Sequence, residues 1–301
     1  MSIMYEAYYG LQEKPFGTTP DPRFLFMSKT HRETFAHLLY GLRNKVGFIA
    51  VTGEVGVGKT TILRALFSQL DDAGFRLALI LNPRVTPMGL LQSINAEFGL
   101  PAKCRSIFGL VEELNQYLLA ENLAGRTPVI IIDEAQNLSA GVLEQIRLLS
   151  NLETERDKLI QIVLVGQPEL RELLQRPNLR QLNQRIVVRC NLASLDHDET
   201  ATYVRHRLQV AGCADGMLFT DDALKAVYRC SSGLPRRINI LCDRAMLIAY
   251  AEDQGQVGPR EIRQAVGEVD DGDPGKEPTQ LQKLFSKVFT WSIRPFRRLS
   301  S

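Results

Sequence analysis

No stretch of this sequence approaches the roughly 18 consecutive apolar residues that a membrane-crossing helix needs, and the first residues lack the charged-then-apolar layout of a secretory leader. The expectation is an intracellular protein. Cysteine is scarce and scattered. Cys104, Cys190, Cys213, Cys230 and Cys242 form no C-x-x-C pair and lie near no histidine cluster, which argues for reduced, mostly buried thiols rather than disulfides or a metal site. The four histidines, His31, His37, His197 and His206, make no triad and no metal-ligand spacing, so they read as structural or surface groups. An excess of one charge is lacking too: the formal net charge is only +2, without the broad basic field that nucleic-acid binders carry. DNA is therefore a less favoured partner.

What the chain does hold is ordinary globular material: 301 residues, 45% apolar and 23% charged. At about 150 residues per domain, that length suggests two domains. Val46 to Thr52 is a short apolar run that reads as a buried strand, and Ile62 to Phe67 is a good helix former. Between them lies Gly53-Glu54-Val55-Gly56-Val57-Gly58-Lys59-Thr60-Thr61, the G-x-x-x-x-G-K-T pattern in the strand–turn–helix context that a phosphate-binding loop requires. Its glycines let successive backbone N–H groups point inward as an anion nest capped by a helix start. Lys59 would reach the β- and γ-phosphates of ATP, and the Thr60 hydroxyl would ligate Mg²⁺.

Strands and helices alternate through the first two-thirds of the chain. Arg76–Leu81, Pro128–Ile132, Leu159–Val165 and Arg185–Leu192 read as further strands, with helices at His31–Leu42, Pro87–Phe98, Ile107–Asn122 and Val142–Leu152. The β-branched Val129-Ile130-Ile131-Ile132 marks a strand buried on both faces, as in parallel sheets. The expected fold is α/β, a parallel sheet with helices on both faces, followed by a small all-α lid. That lid reads as helices over Thr200–Ala211, Asp221–Ser231, Arg236–Ala251 and Pro259–Val266. The expected organisation is an aromatic arm and helix over 1–45, the nucleotide-binding domain over 46–194 and the lid over 195–267. An acidic linker over 268–278 and a basic amphipathic tail over 279–301 follow.

Further positions carry candidate chemistry. Asp133 and Glu134 end the third strand in a Walker B layout, Asp133 holding Mg²⁺ through water and Glu134 polarising the attacking water. Asn82, after the second strand, stands where a polar side chain in AAA+ proteins can hold the catalytic glutamate, here Glu134, in an inactive pose; the alternative is a simple turn before Pro83. Gln167, in Gly166-Gln167-Pro168-Glu169-Leu170 after the fourth strand, fits the sensor position between the two Walker motifs. Arg185, just before the fifth strand, resembles in its place the arginine that an AAA+ subunit offers as a finger to its neighbour's γ-phosphate, with Arg180 second; that resemblance implies a homo-oligomer. Arg236, after Gly233-Leu234-Pro235, opens a lid helix and would point toward the phosphates, with Arg237 as the structural alternative. The arm, with Tyr8, Tyr9, Phe16, Phe24 and Phe26 among prolines, is either plain packing or one wall of an adenine pocket. In the tail, Leu281, Leu284, Phe285, Val288 and Phe289 form an apolar stripe beside Lys283, Lys287, Arg294, Arg297 and Arg298, the pattern of a helix lying on an anionic membrane surface.

Together with Tyr9-Gly10-Leu11, Pro15-Phe16 and Pro20-Asp21-Pro22-Arg23-Phe24-Leu25-Phe26, these motifs make residues 5–266 resemble the ExeA/GspA-type AAA+ ATPases, which include ATPases of MSHA-type pilus biogenesis. The resemblance implies an ATPase, with ATP and Mg²⁺, that drives or licenses assembly of a secretion or type IV-like pilus machine. It further implies envelope assembly proteins as partners and a cytoplasmic location, peripheral at the inner membrane. ExeA-type members continue into a membrane span and a peptidoglycan-binding domain; this sequence ends before either, so the shorter pilus- or exopolysaccharide-associated architecture is the better expectation. Two rivals are a DNA-linked AAA+ switch of the transposition or replication-initiator type and a small-molecule kinase. The slightly acidic balance of residues 1–278 disfavours the first, and the finger arginines and separate lid disfavour the second.

Overall fold

The computed structural model describes residues 4–17, 21–70, 74–81, 85–101, 106–154, 158–213 and 216–270. The candidate switch Asn82, Cys104, linker residues 271–278 and the tail 279–301 lie outside the described residues. Short polar side chains write six of the α-helix starts among the described residues. Ser28, Thr86, Ser106, Ser139 and Thr220 each accept a backbone N–H three residues on, and Asp196 with Glu199 forms a reciprocal capping box. Each such cap contributes about 1 kcal/mol to its helix.

In chain order the elements are α1 (Met4–Tyr8), α2 (Lys29–Arg43), β1 (Phe48–Gly53), α3 (Lys59–Leu70), β2 (Phe75–Ile80), α4 (Pro87–Glu97) and α5 (Ile107–Leu123). Then come β3 (Thr127–Ile132), α6 (Ala140–Leu149), β4 (Gln161–Gly166), α7 (Glu169–Leu174), α8 (Arg180–Arg185) and β5 (Ile186–Leu192). The lid is α9 (His197–Val210), α10 (Asp221–Ser231), α11 (Pro235–Ala251) and α12 (Pro259–Asp270). The expected α/β-plus-lid class is borne out. The strands form one five-stranded sheet in the order β2-β3-β4-β1-β5, every neighbouring pair parallel.

Alternate residues of β1, β2, β3 and β4 feed two separate cores. Ala50, Ala78, Ile130, Ile132, Ile162 and Leu164 pack with α4, α5 and α6 on one face. Ile49, Val51, Val129, Ile131, Val163 and Val165 pack with α2 and α3 on the other. The order has one consequence for chemistry. β4 inserts between β1 and β3, so the loops leaving β1, β4 and β3 are neighbours at the sheet's carboxyl edge, at the usual ~5 Å strand spacing. β1 pairs with β4 on one side and β5 on the other, and such a reversal of strand order opens a crevice at that edge.

One expectation needs correction. Residues 268–270 are not linker: α12 continues through Asp270, and the Glu268 carboxylate pairs with Arg244 of α11 at 3.1 Å. The arm's aromatics pack on the lid. Tyr5, Phe16 and Phe24 are buried in the lid core, with Tyr9 and Phe26 packed against it. Arg207 of α9 binds this arm through the Pro15 and Gly17 carbonyls and lies over the Phe24 ring at 4.7 Å. Tyr9 donates to the Gln254 carbonyl at 3.0 Å, and Tyr8 donates to Asp253 at 3.0 Å. Arm and lid therefore share one core. No helix among the described residues is long and apolar enough to cross a membrane.

Candidate functional site

The loop after β1 has the shape its sequence calls for. Gly56 and Gly58 adopt φ of 80° and 109°, which side-chain-bearing residues rarely take. Both are also crowded: a Cβ on Gly56 would meet Arg236 Cβ at 2.7 Å, and one on Gly58 would meet His31 Nε2 at 2.7 Å. The loop is thus clasped from two sides, by the start of α11 and by α2. The α11 contact includes a backbone hydrogen bond from Arg236 N–H to the Gly56 carbonyl at 3.3 Å. The glycine cradle, the helix start at Lys59 and the carboxylate–hydroxyl pair described below fit a Mg²⁺–nucleotide phosphate group.

Lys59 is 8% exposed, and its ammonium donates to the Gly53 carbonyl at 2.7 Å and the Glu54 carbonyl at 3.0 Å. Burial pushes it below the usual lysine range, while the nearby Glu134 and Asp133 charges act in the opposite direction. Asp133 is also buried, at 7% exposure. Burial lifts its carboxyl above the ordinary aspartate range; the Glu134 N–H, Lys59 and a hydrogen bond from Thr60 oppose that lift, and the Glu134 charge adds to it. Lys59, Thr60 and Asp133 are therefore one electrostatic unit.

Glu134 follows Asp133 in the left-handed region, at φ 53° and ψ 36°. Its Oε2 accepts a hydrogen bond from Gln167 Nε2 at 3.1 Å and another from Gln136 Nε2. The Gln167 backbone N–H in turn donates to Gln136 Oε1 at 3.0 Å. The insertion of β4 brings Gln167 to this place, beside Glu134.

Arg185 lies elsewhere. It ends α8 immediately before β5, whose first residue, Ile186, stands in register with Phe48 at the start of β1. That is the amino edge of the sheet, a full strand away from the loop after Gly53. Its guanidinium donates to Ser150 Oγ at 2.6 Å, at the end of α6. Arg180 opens α8 and is exposed. Arg236 is exposed beside Gly56, at the start of α11.

Sequence reasoning passed over two residues. Gln136 stood inside the Walker B segment, but only the glycine at 166 hinted that a side chain had to fit there. A Cβ on Gly166 would stand 2.7 Å from Gln136 Oε1. His31 was set aside as structural. It is indeed buried at 3%, yet its Nε2 lies 3.1 Å from the Val57 carbonyl of the loop. Of the other histidines, His37 and His197 are exposed, and His206 packs near Phe26.

The AAA domain family matches residues 42–174. General secretion pathway protein A of Aeromonas hydrophila is 47% identical over 270 residues, 88% of this chain and 48% of that protein. The chain belongs to the ExeA/GspA-type AAA family. It spans about half the length of that relative. Among solved structures, the Drosophila ORC bound to DNA is similar with a TM-score of 0.68 at 17% identity, over 97% of this chain and 73% of that one. The Aeropyrum pernix ORC2 protein, in ADPNP–ADP complexes, gives a TM-score of 0.64 at 17% identity, over 89% of this chain and 73% of that one. At such identity the two likenesses bear on the fold alone. They agree with the sheet-plus-lid architecture of this AAA protein.

Proposed function

We propose that this AAA protein is a Mg²⁺-dependent ATPase that drives or licenses assembly of an envelope machine, a secretion or type IV-like pilus system. The observation that carries the enzymatic part is the convergence of Lys59, Thr60, Asp133, Glu134 and Gln167 at the carboxyl ends of three adjacent strands. The assembly part rests on the 47% identity to a protein of the general secretion pathway.

The division of labour follows from the groups. The loop N–H donors and Lys59 hold the β- and γ-phosphates; in doing so Lys59 exchanges two neutral carbonyl partners for ionised phosphate oxygens, whose charge attracts the ammonium more strongly. Thr60 and Asp133 would hold Mg²⁺, which neutralises charge on the phosphate oxygens. Glu134 takes a hydrogen bond from the attacking water and draws its proton. Gln167 orients the γ-phosphate or that water, and Arg236 approaches from the lid. Arg185 serves a neighbouring subunit in a homo-oligomer. The basic stripe of residues 279–301 supports a peripheral place at the inner face of the membrane, with the AAA core in the cytoplasm. The candidate finger arginines, Arg236 and the separate helical lid favour ATP hydrolysis over kinase chemistry. The deciding experiment is phosphate release from Mg²⁺-ATP by the purified chain without an added acceptor. A chain that binds ATP and releases no phosphate, alone or with its assembly partners, overturns the ATPase reading.

A further inference from the structure

Gln136 sits two residues beyond Glu134 on the short 3-10 turn Ala135–Asn137, and both ends of its amide are used. Nε2 donates to Glu134 Oε2, and Oε1 accepts the Gln167 backbone N–H at 3.0 Å. Gln167 Nε2 donates to the same Glu134 oxygen at 3.1 Å. Glu134, Gln136 and Gln167 thus close a ring of three hydrogen bonds. The ring fits because residue 166 is glycine: a Cβ there would press into Gln136 Oε1 at 2.7 Å.

The ring bears on proton transfer. A carboxylate oxygen offers about two lone pairs. On Oε2 of Glu134 both are engaged by amide N–H donors, so this oxygen is not free to accept a proton from water, and the two donors fix the direction of Oε1, the oxygen left to do so. The side chain must turn before Oε2 can act. A group that draws the Gln167 side chain away removes one donor and leaves the other in place. The second donor, Gln136, is itself anchored to the Gln167 backbone. Its grip therefore loosens only when the end of β4 shifts as well.

We infer that Gln136 is a positioning residue that restrains Glu134 and ties its release to movement of the Gln167 segment. The inference rests on the hydrolysis reading above and adds a restraint to it. In the full chain, Gln136→Ala and Gln136→Met remove the donor and the acceptor; methionine keeps the length that fills the space under Gly166. Both are expected to raise kcat for Mg²⁺-ATP about 5- to 10-fold, the effect of one net hydrogen bond on a barrier. KM and ADP affinity should stay within about twofold of wild type, because Gln136 touches neither the phosphate loop nor the lid. A space-filling role would instead leave Gln136→Met at the wild-type rate. Gln136→Met also carries the test if the alanine variant fails to fold. In a Glu134→Gln background, Gln136→Met should give no gain, since the effect runs through that carboxylate. An unchanged or lower kcat in a Gln136→Met chain that binds ADP normally overturns the inference, and so does a gain in the Glu134→Gln background. Wild-type turnover without a gain in the variants overturns the restraint alone. Absence of turnover in every ATP-binding chain overturns the hydrolysis reading and the restraint with it.

Discussion

The His31 imidazole ties the start of α2 to the phosphate-loop backbone: Nε2 lies 3.1 Å from the Val57 carbonyl, and Nδ1 lies 2.6 Å from the Ser28 hydroxyl. Facing a carbonyl, Nε2 must carry the proton and donate. Nδ1 then accepts from Ser28, whose oxygen also caps α2 by accepting the His31 backbone N–H. The ring is therefore neutral and fixed in one tautomer. Burial holds its pKa below the ordinary histidine value, partly opposed by the hydrogen bond to Val57 and by the Glu199 charge.

A pH dependence of stability follows. The folded pKa is depressed, so below about pH 6.5 the unfolded chain binds a proton that the folded chain refuses. The His31 contribution is present in full above that value and is lost as pH falls through it toward the folded pKa. Thermal melts between about pH 7.5 and 5.5 should show a larger drop for the wild type than for His31→Gln, which cannot titrate. Parallel drops in the two proteins would show that His31 is not the group responsible.

Lys59→Ala and Glu134→Gln should part company. Lys59 acts on the phosphates in the bound ground state, so its loss should weaken ATP binding by about 10²-fold or more, the worth of two charged hydrogen bonds. Glu134 acts on the water. Its amide variant should bind ATP nearly as the wild type does and lose about 10²- to 10⁴-fold in turnover, the usual span of general-base catalysis. Calorimetry and phosphate release on the same preparations check both. Equal loss of binding in the two variants would break the assignment.

Much of this was legible before the structure because the signals were long or locally complete. The β1–loop–α3 unit spells out its own conformation, and Val129–Ile132 could only be a buried strand. What stayed hidden depends on contacts between distant segments. Helices α7 and α8 are six residues each, too short for a 3.6-residue period to show. The arm's aromatics announced burial but not their partner, since nothing in Phe16 or Phe24 says that Phe219 and, from α9, Arg207 will meet them. The Gln136–Gln167 contact needed the strand order, which brings β4 beside β3, before two distant glutamines could meet on one carboxylate.

The arm should depend on Arg207, a residue 7% exposed whose guanidinium is divided among the Pro15 carbonyl, the Gly17 carbonyl, the Tyr203 hydroxyl and the Phe24 ring. Arg207→Ala leaves these acceptors without their donor, at a cost of about 2–4 kcal/mol. Lysine should recover little of it, because a single ammonium cannot reproduce a planar fork that also stacks on a ring. Limited proteolysis should then cut the arm ahead of α2 in both variants and not in the wild type. An arm equally resistant in all three would mean that its aromatics suffice to hold it.

Turnover should need a neighbour. Arg185 precedes Ile186, which stands in register with Phe48 at the amino edge, and six residues of β1 separate that edge from the loop. At about 3.3 Å per residue the gap is roughly 20 Å, farther than an arginine side chain reaches. If Arg185 serves catalysis, it serves another subunit's phosphate, and to do so it must leave Ser150 Oγ. Arg185→Ala should therefore bind ATP normally and lose about 10³-fold or more in turnover, the scale of a finger acting on developing phosphate charge. Mixing it with Glu134→Gln is the sharper measurement. Each protein alone is inactive at every interface, whereas a mixed oligomer contains interfaces that join an intact Glu134 site to an intact Arg185. Activity should rise on mixing, pass through a maximum near equal proportions and vanish on dilution below the dissociation constant of the oligomer. Normal turnover by an Arg185→Ala oligomer would remove Arg185 from the role and pass it to the exposed Arg180 at the start of the same helix. Loss of activity without recovery on mixing would mean that Arg185 acts through Ser150 within its own chain.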